Sequence, residues 1–233
     1  MSGFVLTIGG EKGGPGKSTI ATNFAAILAD MGVECCLVNT DRQETASFWA
    51  SLRSIQHDQL PQVLTVTKRG QTINNDIKAL ADKFQVVIVD AAGQDSVEQC
   101  AAMTVTDLLL VPIRATQFDV WTLAHLANLV DKVRTINPAM EACLFGNQVP
   151  AVSRDRDRAT LTEVCADFPQ FRLLNTIVVT RVAFQHAASQ GLAVTELPRV
   201  DVKARTEIMQ LFEETFRNGE SKFVWKTAGR RAA

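Results

Sequence analysis

Residues 11–19 read Glu-Lys-Gly-Gly-Pro-Gly-Lys-Ser-Thr and follow directly on an apolar run, Phe4-Val5-Leu6-Thr7-Ile8. A strand, a glycine-rich loop and a helix in immediate succession admit few folds. Gly13, Gly14 and Gly16 lack a Cβ, so the backbone can take positive φ and come close to a phosphate. Successive N–H groups then form an anion nest, and the positive end of the following helix points at the same charge. Lys17 is placed to reach the β- and γ-phosphates of a nucleoside triphosphate, and the Ser18 hydroxyl to bind Mg²⁺. Pro15 fits a loop position whose N–H is not needed. The general pattern is G-x-x-x-x-G-K-[ST]. Here Glu11 stands at its first glycine, and a second lysine, Lys12, follows.

Beyond this loop, strand-like runs alternate with amphipathic helical stretches almost to the end. Strands are expected at 3–9, 34–39, 62–67, 85–90, 107–113, 142–148 and 173–180. Several are continuously apolar, such as Val86-Val87-Ile88-Val89 and Leu108-Leu109-Leu110-Val111. That is the pattern of a parallel sheet covered on both faces. Helices are expected near 17–31, 44–55, 71–83, 95–104, 118–136, 156–167 and 203–217. In the fifth, Val120, Leu123, Leu126, Ala127, Val130 and Val133 form a core-facing stripe, and Pro138 ends it. The alternation predicts an α/β fold, a doubly wound, mostly parallel sheet with helices on both faces. Residues 1–218 read as one such domain, with 219–233 a basic C-terminal tail.

The 233 residues, 46% hydrophobic and 21% charged, suffice for one α/β domain with a substantial core. A net charge of −1 means that any nucleic-acid role needs a local basic patch. Cys35, Cys36, Cys100, Cys143 and Cys165 show no C-x-x-C spacing and read as free thiols of a reducing cytosol. The N-terminus enters the first strand at once, without a signal peptide, and no apolar run approaches the roughly 18 residues of a spanning helix. His57, His125 and His186 are scattered and suggest no metal cluster.

Two further segments carry chemistry. Phe84-Gln-Val-Val-Ile-Val-Asp90-Ala-Ala-Gly93 is an apolar strand ending in a carboxylate, where ligands bind in open α/β sheets. Asp90 there would hold a water of a bound Mg²⁺, and Gly93 an N–H near the γ-phosphate. Cys36-Leu-Val-Asn39-Thr-Asp41-Arg-Gln43 closes the second strand with polar groups.

Lys12-Gly-Gly-Pro-Gly-Lys17-Ser18-Thr19 resembles the deviant Walker A motif of the ParA/MinD family of ATPases. Residues 36–43 resemble that family's V-D-x-D-P-Q segment, with Asp41 at the position that orients the attacking water. Asn39 replaces the first Asp and Arg42 the Pro. Val111-Pro112-Ile-Arg-Ala-Thr-Gln-Phe-Asp119 is similar to the family's P-V-x-P-S-x-x-D segment, though a strand followed by a helix cap reads the same way. Val179-Thr180-Arg181 resembles the strand end that lies near base and ribose.

The resemblance implies a P-loop NTPase fold of deviant Walker A type, with ATP and Mg²⁺ as cofactors. It implies a homodimer with ATP sandwiched, Lys12 reaching across to the partner's nucleotide, and slow, Mg²⁺-dependent, partner-stimulated ATP hydrolysis. Lys12, Lys17 and Asp41 are then the catalytic residues. Gly13, Gly14, Pro15, Gly16, Lys17, Ser18, Thr19, Thr180 and Arg181 bind nucleotide. Ser18, Asp41 and (through water) Asp90 hold the metal.

Without room before residue 3 for a DNA-reading domain, the chain looks like the small plasmid-type ParA partition ATPases. That class binds DNA nonspecifically and segregates plasmid or chromosomal DNA with a ParB-like adaptor, in the cytoplasm on the nucleoid. Lys203, Arg205, Lys222 and Lys226 are the candidate DNA contacts. The tail, with interleaved Phe223 and Trp225, is compatible with phosphate binding or an anionic membrane, and as well with a disordered terminus. Arg154, Arg156 and Arg158 alternate with Asp155 and Asp157 and read as a solvated, self-neutralised turn. The alternatives are a MinD-like membrane-positioning ATPase and a ParA-like positioner of a protein cargo.

Overall fold

The computed structural model describes residues 2–10, 14, 16–93, 96–115 and 117–217, with backbone alone for 117–121 and 217. Seven strands, β1 (Phe4–Ile8), β2 (Cys35–Asn39), β3 (Leu64–Thr67), β4 (Val86–Asp90), β5 (Leu108–Ile113), β6 (Glu141–Val149) and β7 (Arg172–Val179), form one sheet. Its order is β3-β2-β4-β1-β5-β6-β7, and every pairing is parallel. The doubly wound expectation holds, with a sheet that is wholly parallel among the described residues.

Strand period two divides the core. On β1, Phe4, Leu6 and Ile8 face one layer while Val5 faces the other. On β4, Val86 and Ile88 part from Val87 and Val89 in the same way. The first layer holds α1 (Lys17–Asp30), α2 (Thr45–Gln56), α7 (Val182–Ala188) and α8 (Val202–Arg217); the second holds α3 (Ile73–Ala81), α4 (Val97–Met103), α5 (Gln117–Arg134) and α6 (Arg154–Ala166). An aromatic cluster joins α8 to α1: Phe24 meets Phe212 edge-on at 5.3 Å, and Phe212 lies 4.7 Å from Phe216.

Two features differ from expectation. The segment 182–188 is helical although no helical stripe marks it. Arg154, Arg156 and Arg158 open helix α6 rather than a turn, because a short 3-10 segment, Ala151–Ser153, runs straight into it. Ser153 Oγ donates to Asp157 in that first turn at 2.7 Å.

Arg53 of α2 is wholly buried. It forks Glu196 at 2.6 and 2.8 Å, donates to the carbonyls of Pro61 and Gly191, and stacks on Trp49. The chain passes so close at Gly191 (φ +70°) that a Cβ there would stand 2.5 Å from the Arg53 nitrogen. Trp49 Nε1 donates to Leu192 O, and Val194 N–H to Asn23 of α1. These bonds fix α2 and α1 to the segment 190–196.

At the β7 edge the backbone donors meet carboxylates from α8. Glu214 accepts from Asn175 N and Nδ2 and from Thr176 N and Oγ1, between 2.6 and 3.0 Å. Glu207, two turns earlier, accepts from Val179 N and from Arg181. Burial alone would raise the Glu214 pKa; the bonds from Asn175 and Thr176 outweigh it and hold the carboxyl below its ordinary value.

Glu214→Ala orphans two backbone donors and is expected to cost about 2 kcal/mol. By calorimetry that is a Tm lower by roughly 4–8 °C at neutral pH. A depressed folded-state pKa contributes stability above the unfolded value and loses it as pH falls through the folded one. The Tm gap between wild type and variant therefore narrows below the usual glutamate range.

Candidate functional site

The C-terminal ends of β1, β2 and β4 lie side by side: Ile8 pairs with Asp90, and Asp90 with Asn39. This places the loop after β1 against both acidic segments. Of that loop, Gly14 and Gly16 are described; Glu11, Lys12, Gly13 and Pro15 lie outside the described residues. Gly16 caps α1 at φ +94°, a conformation that favours glycine, and a Cβ there would meet Asn147 Nδ2 at 2.5 Å, so the Asn147 side chain would have to shift. The start of the loop is held from α4: Gly10 N–H donates to the buried Gln99 Oε1 at 3.0 Å.

Lys17 opens α1 and is buried, with Ser18 and Thr19 half-exposed beside it. Burial lowers the Lys17 pKa, opposed by the charges of Asp90 and Asp41. Asp90 is fully buried, and neither carboxylate oxygen has a geometrically satisfactory hydrogen bond. Burial pushes its pKa up from 3.8 to about 7, although the Ser18 hydroxyl and Lys17 pull the other way. A charge left so poorly compensated in a dry site is costly unless a cation completes it.

The donor set suits Mg²⁺. A buried carboxylate faces a serine hydroxyl at a helix start, which is how a hard cation that keeps most of its waters and phosphate ligands is held. No cluster of three or more His, Cys, Asp or Glu that could cage a metal occurs among the described residues.

Asp41 lies just past β2, in a loop with its own internal bonds. Asn39, fully buried, accepts from Asp41 N–H at 3.2 Å and donates to Asp41 O at 3.3 Å. Asp41 Oδ1 accepts from Gln43 N–H at 3.0 Å. Thr40 Oγ1 bridges to the Asp90 loop, donating to Asp90 O and accepting from Ala92 N–H. The structure thus brings Lys17, Ser18, Asp41 and Asp90 together.

A pocket of about 270 Å³ adjoins the loop on the other side, between Gly16, Thr19, Asn147, Gln148, Thr180 and Arg181. Thr180 and Arg181 line this pocket at the end of β7, and the Arg181 guanidinium is forked onto Glu207 at 2.6 and 3.0 Å. Asn147 and Gln148 were not read from the sequence. Their signal is an apolar strand that turns polar at Gly146-Asn147-Gln148, where the β6–β7 register slips and Gln148 takes φ +53°. A larger cavity of about 430 Å³ lies elsewhere, lined by Arg154, Arg158, Glu213 and Glu214 of α6 and α8, away from the phosphate loop.

Lys203 and Arg205 are exposed in the first turns of α8, after Asp201, whose carboxylate accepts from Lys203 N–H. Lys222 and Lys226 lie outside the described residues. Asp119 falls in the first turn of α5, where only the backbone is described. Cys35, Cys36 and Cys143 are buried free thiols, pushed up to about 12, 11 and 11. No helix among the described residues is long and apolar enough to cross a membrane.

Residues 6–197 match the CobQ/CobB/MinD/ParA nucleotide binding domain. The chain belongs to that family. It is 28% identical over 213 residues to the maintenance of carboxysome distribution protein A of Halothiobacillus neapolitanus, covering 91% of this chain and 95% of that one. Among solved structures it resembles a complex of Cyanothece McdA with ATP, at a TM-score of 0.70 and 14% identity over 92% of this chain and 96% of that one. It also resembles MinD of Pyrococcus horikoshii with Mg-ADP, at 0.68 and 16% over 94% and 99%. At those identities the likeness is one of fold, and it agrees with the sheet order and the placement of the loop.

The buried Asp90 charge has a measurable consequence. Its folded pKa of about 7 against 3.8 means that the folded state binds the extra proton, so the penalty is absent below pH 3.8, grows between the two values and is full above them. Asp90→Asn without ligand is expected to raise Tm at pH 8 by several degrees, about 1–2 kcal/mol, because the amide is itself buried. At pH 5 the gain should be much smaller, as melting curves at the two pH values would show.

Proposed function

We propose that the chain is a Mg²⁺-dependent ATPase that dimerises around ATP and uses slow hydrolysis to position a cargo. The observation that carries this reading is the convergence of Lys17 and Ser18 on the buried Asp90 carboxylate, which they compensate only in part, with Asp41 on the facing loop. Lys17 would neutralise the β- and γ-phosphates. Ser18 directly, and Asp90 through water, would hold Mg²⁺, which when bound offsets charge on the transferring phosphoryl group. Asp41 would orient the attacking water, and phosphoryl transfer asks for little more than such positioning. Asn147 and the pocket at the β6 and β7 ends are suited in place and size to the base and ribose. Gly14, Gly16 and Thr19, with Gly13 and Pro15, complete the cradle. Lys12 would complete the site across a dimer.

The carrier surface we propose is DNA, bound nonspecifically through Lys203, Arg205, Lys222 and Lys226, with a ParB-like adaptor stimulating turnover. For the cargo, plasmid or chromosomal DNA follows from the resemblance to small ParA proteins. A protein body is the second reading, favoured by the near full-length match to a carboxysome distribution protein.

Lys17→Ala is expected to abolish binding of a fluorescent ATP analogue. Asp41→Ala should bind it as wild type does while ATP turnover falls by about a hundredfold, the scale of a lost positioning group. Normal turnover by that variant would refute the water-orienting role.

ATP-loaded wild type should retard DNA at low salt and release it steeply as salt rises. Lys12→Ala should bind nucleotide, remain monomeric by light scattering and lose the retardation. Equal retardation by both proteins would refute the ATP-switched dimer.

A further inference from the structure

The loop after β3, residues 68–70, belongs to no phosphate-binding motif, yet it bonds both to the Asp41 loop and to helix α4, which follows the Asp90 loop. Arg69 sends its guanidinium across to the Asp41 loop. Nη1 donates to Thr40 O at 3.2 Å, and Nη2 to Asp41 O at 3.1 Å and to Glu44 Oε1 at 3.0 Å. The next residue, Gly70 at φ +91°, gives its N–H to Glu98 Oε1 at 3.0 Å. Glu98 stands in the first turn of α4, directly after the Asp90 loop. Its neighbour Gln99 faces the other way and holds Gly10 at the start of the phosphate loop.

The three contacts of Arg69 all fall on one loop, residues 40–44. Two are to backbone carbonyls flanking the Asp41 side chain, and the third is to Glu44, whose own backbone sits at φ +54°. An exposed ion pair such as Arg69–Glu44 contributes little stability. A planar five-donor group that grips two successive carbonyls instead fixes geometry. Glu98 strengthens the arrangement from the far side: the Gly70 N–H foremost, and the charges of Arg42 and Arg69, hold its carboxyl below the ordinary range.

We propose that Arg69 is a positioning residue for hydrolysis, which locks Thr40 and Asp41 in place and ties the Asp41 loop, through Gly70 and Glu98, to helix α4 and the phosphate loop. The proposal rests on the reading of Asp41 as the group that orients water. The pairing ties together segments far apart in sequence: residues 40–44, 69–70 and 98. It also gives Arg42, a departure from the family's proline, an electrostatic partner in Glu98.

The test uses the full chain with Mg²⁺ and ATP. Single-turnover hydrolysis and affinity for a fluorescent ATP analogue are compared for wild type, Arg69→Ala, Arg69→Lys, Asp41→Asn and the Arg69→Ala/Asp41→Asn pair, with melting curves for each. Arg69→Ala should slow hydrolysis by about tenfold or more while analogue affinity stays within about threefold, a split expected of a group that acts on the transition state alone. Arg69→Lys should recover part of the rate. In the Asp41→Asn background, Arg69→Ala should cost little further, because the carboxylate it positions is gone.

A wild-type rate for Arg69→Ala, an equal loss of affinity and rate, or two losses that multiply would overturn the proposal. Should Arg69→Ala melt below the assay temperature, Arg69→Lys alone and in the Asp41→Asn background carries the same readings. If Asp41→Asn hydrolysed ATP at the wild-type rate, the reading of Asp41 itself would fall, whatever Arg69 did.

Discussion

Asp90 sits where the parallel register of β1, β4 and β2 runs out, and its carboxylate is buried without adequate compensation. A sheet of uninterrupted apolar strands can carry such a group at one place only, the C-terminal rim, where loops diverge and a ligand can enter. Much of the surrounding structure answers to it. Lys17 arrives from the start of α1, Ser18 offers a hydroxyl, and Thr40 ties the neighbouring loop to the Asp90 backbone. The fold keeps a destabilising charge where a cation and a triphosphate would compensate it.

The two departures from the ParA/MinD pattern make physical sense in this setting. Asn39 both accepts from and donates to the Asp41 backbone, which one carboxylate cannot do. It also adds no second negative charge next to Asp90, its partner in the strand register. The charge of Arg42 acts on Glu98 of α4 and helps hold its carboxyl below the ordinary range. Asn39 thereby exchanges a charge for bonds within its own loop, and Arg42 a proline for an interaction with a neighbouring segment.

The architecture was legible because both faces of the sheet are covered. Runs such as Val86-Val87-Ile88-Val89 leave no other reading, and the stripe from Leu123 to Val133 settles on the core as expected. Helix α7 escaped because seven residues that bury Phe184 and Ala187 make no periodic signal. The Arg154–Arg158 run was misread because alternating charge suits an exposed first turn of a helix as well as a turn. At the site, the loop glycines, Lys17 and the strand-end carboxylates announce themselves by type and position. Asn147, Gln148, Gln99 and Arg69 do not. Their meaning comes from parallel crossovers that bring distant strand ends together, and no local pattern encodes that contact.

The carboxylates of Glu207 and Glu214 bear on how copies of this chain can come together. An outermost strand ordinarily presents free backbone donors on which another strand can be laid. On β7 the donors of Asn175, Thr176 and Val179 are already taken by side chains of the last helix, which lies along that border. Sheet extension through this side is thereby blocked where those donors sit. At this border the surfaces left for association are those of the helices and the loop-bearing rim.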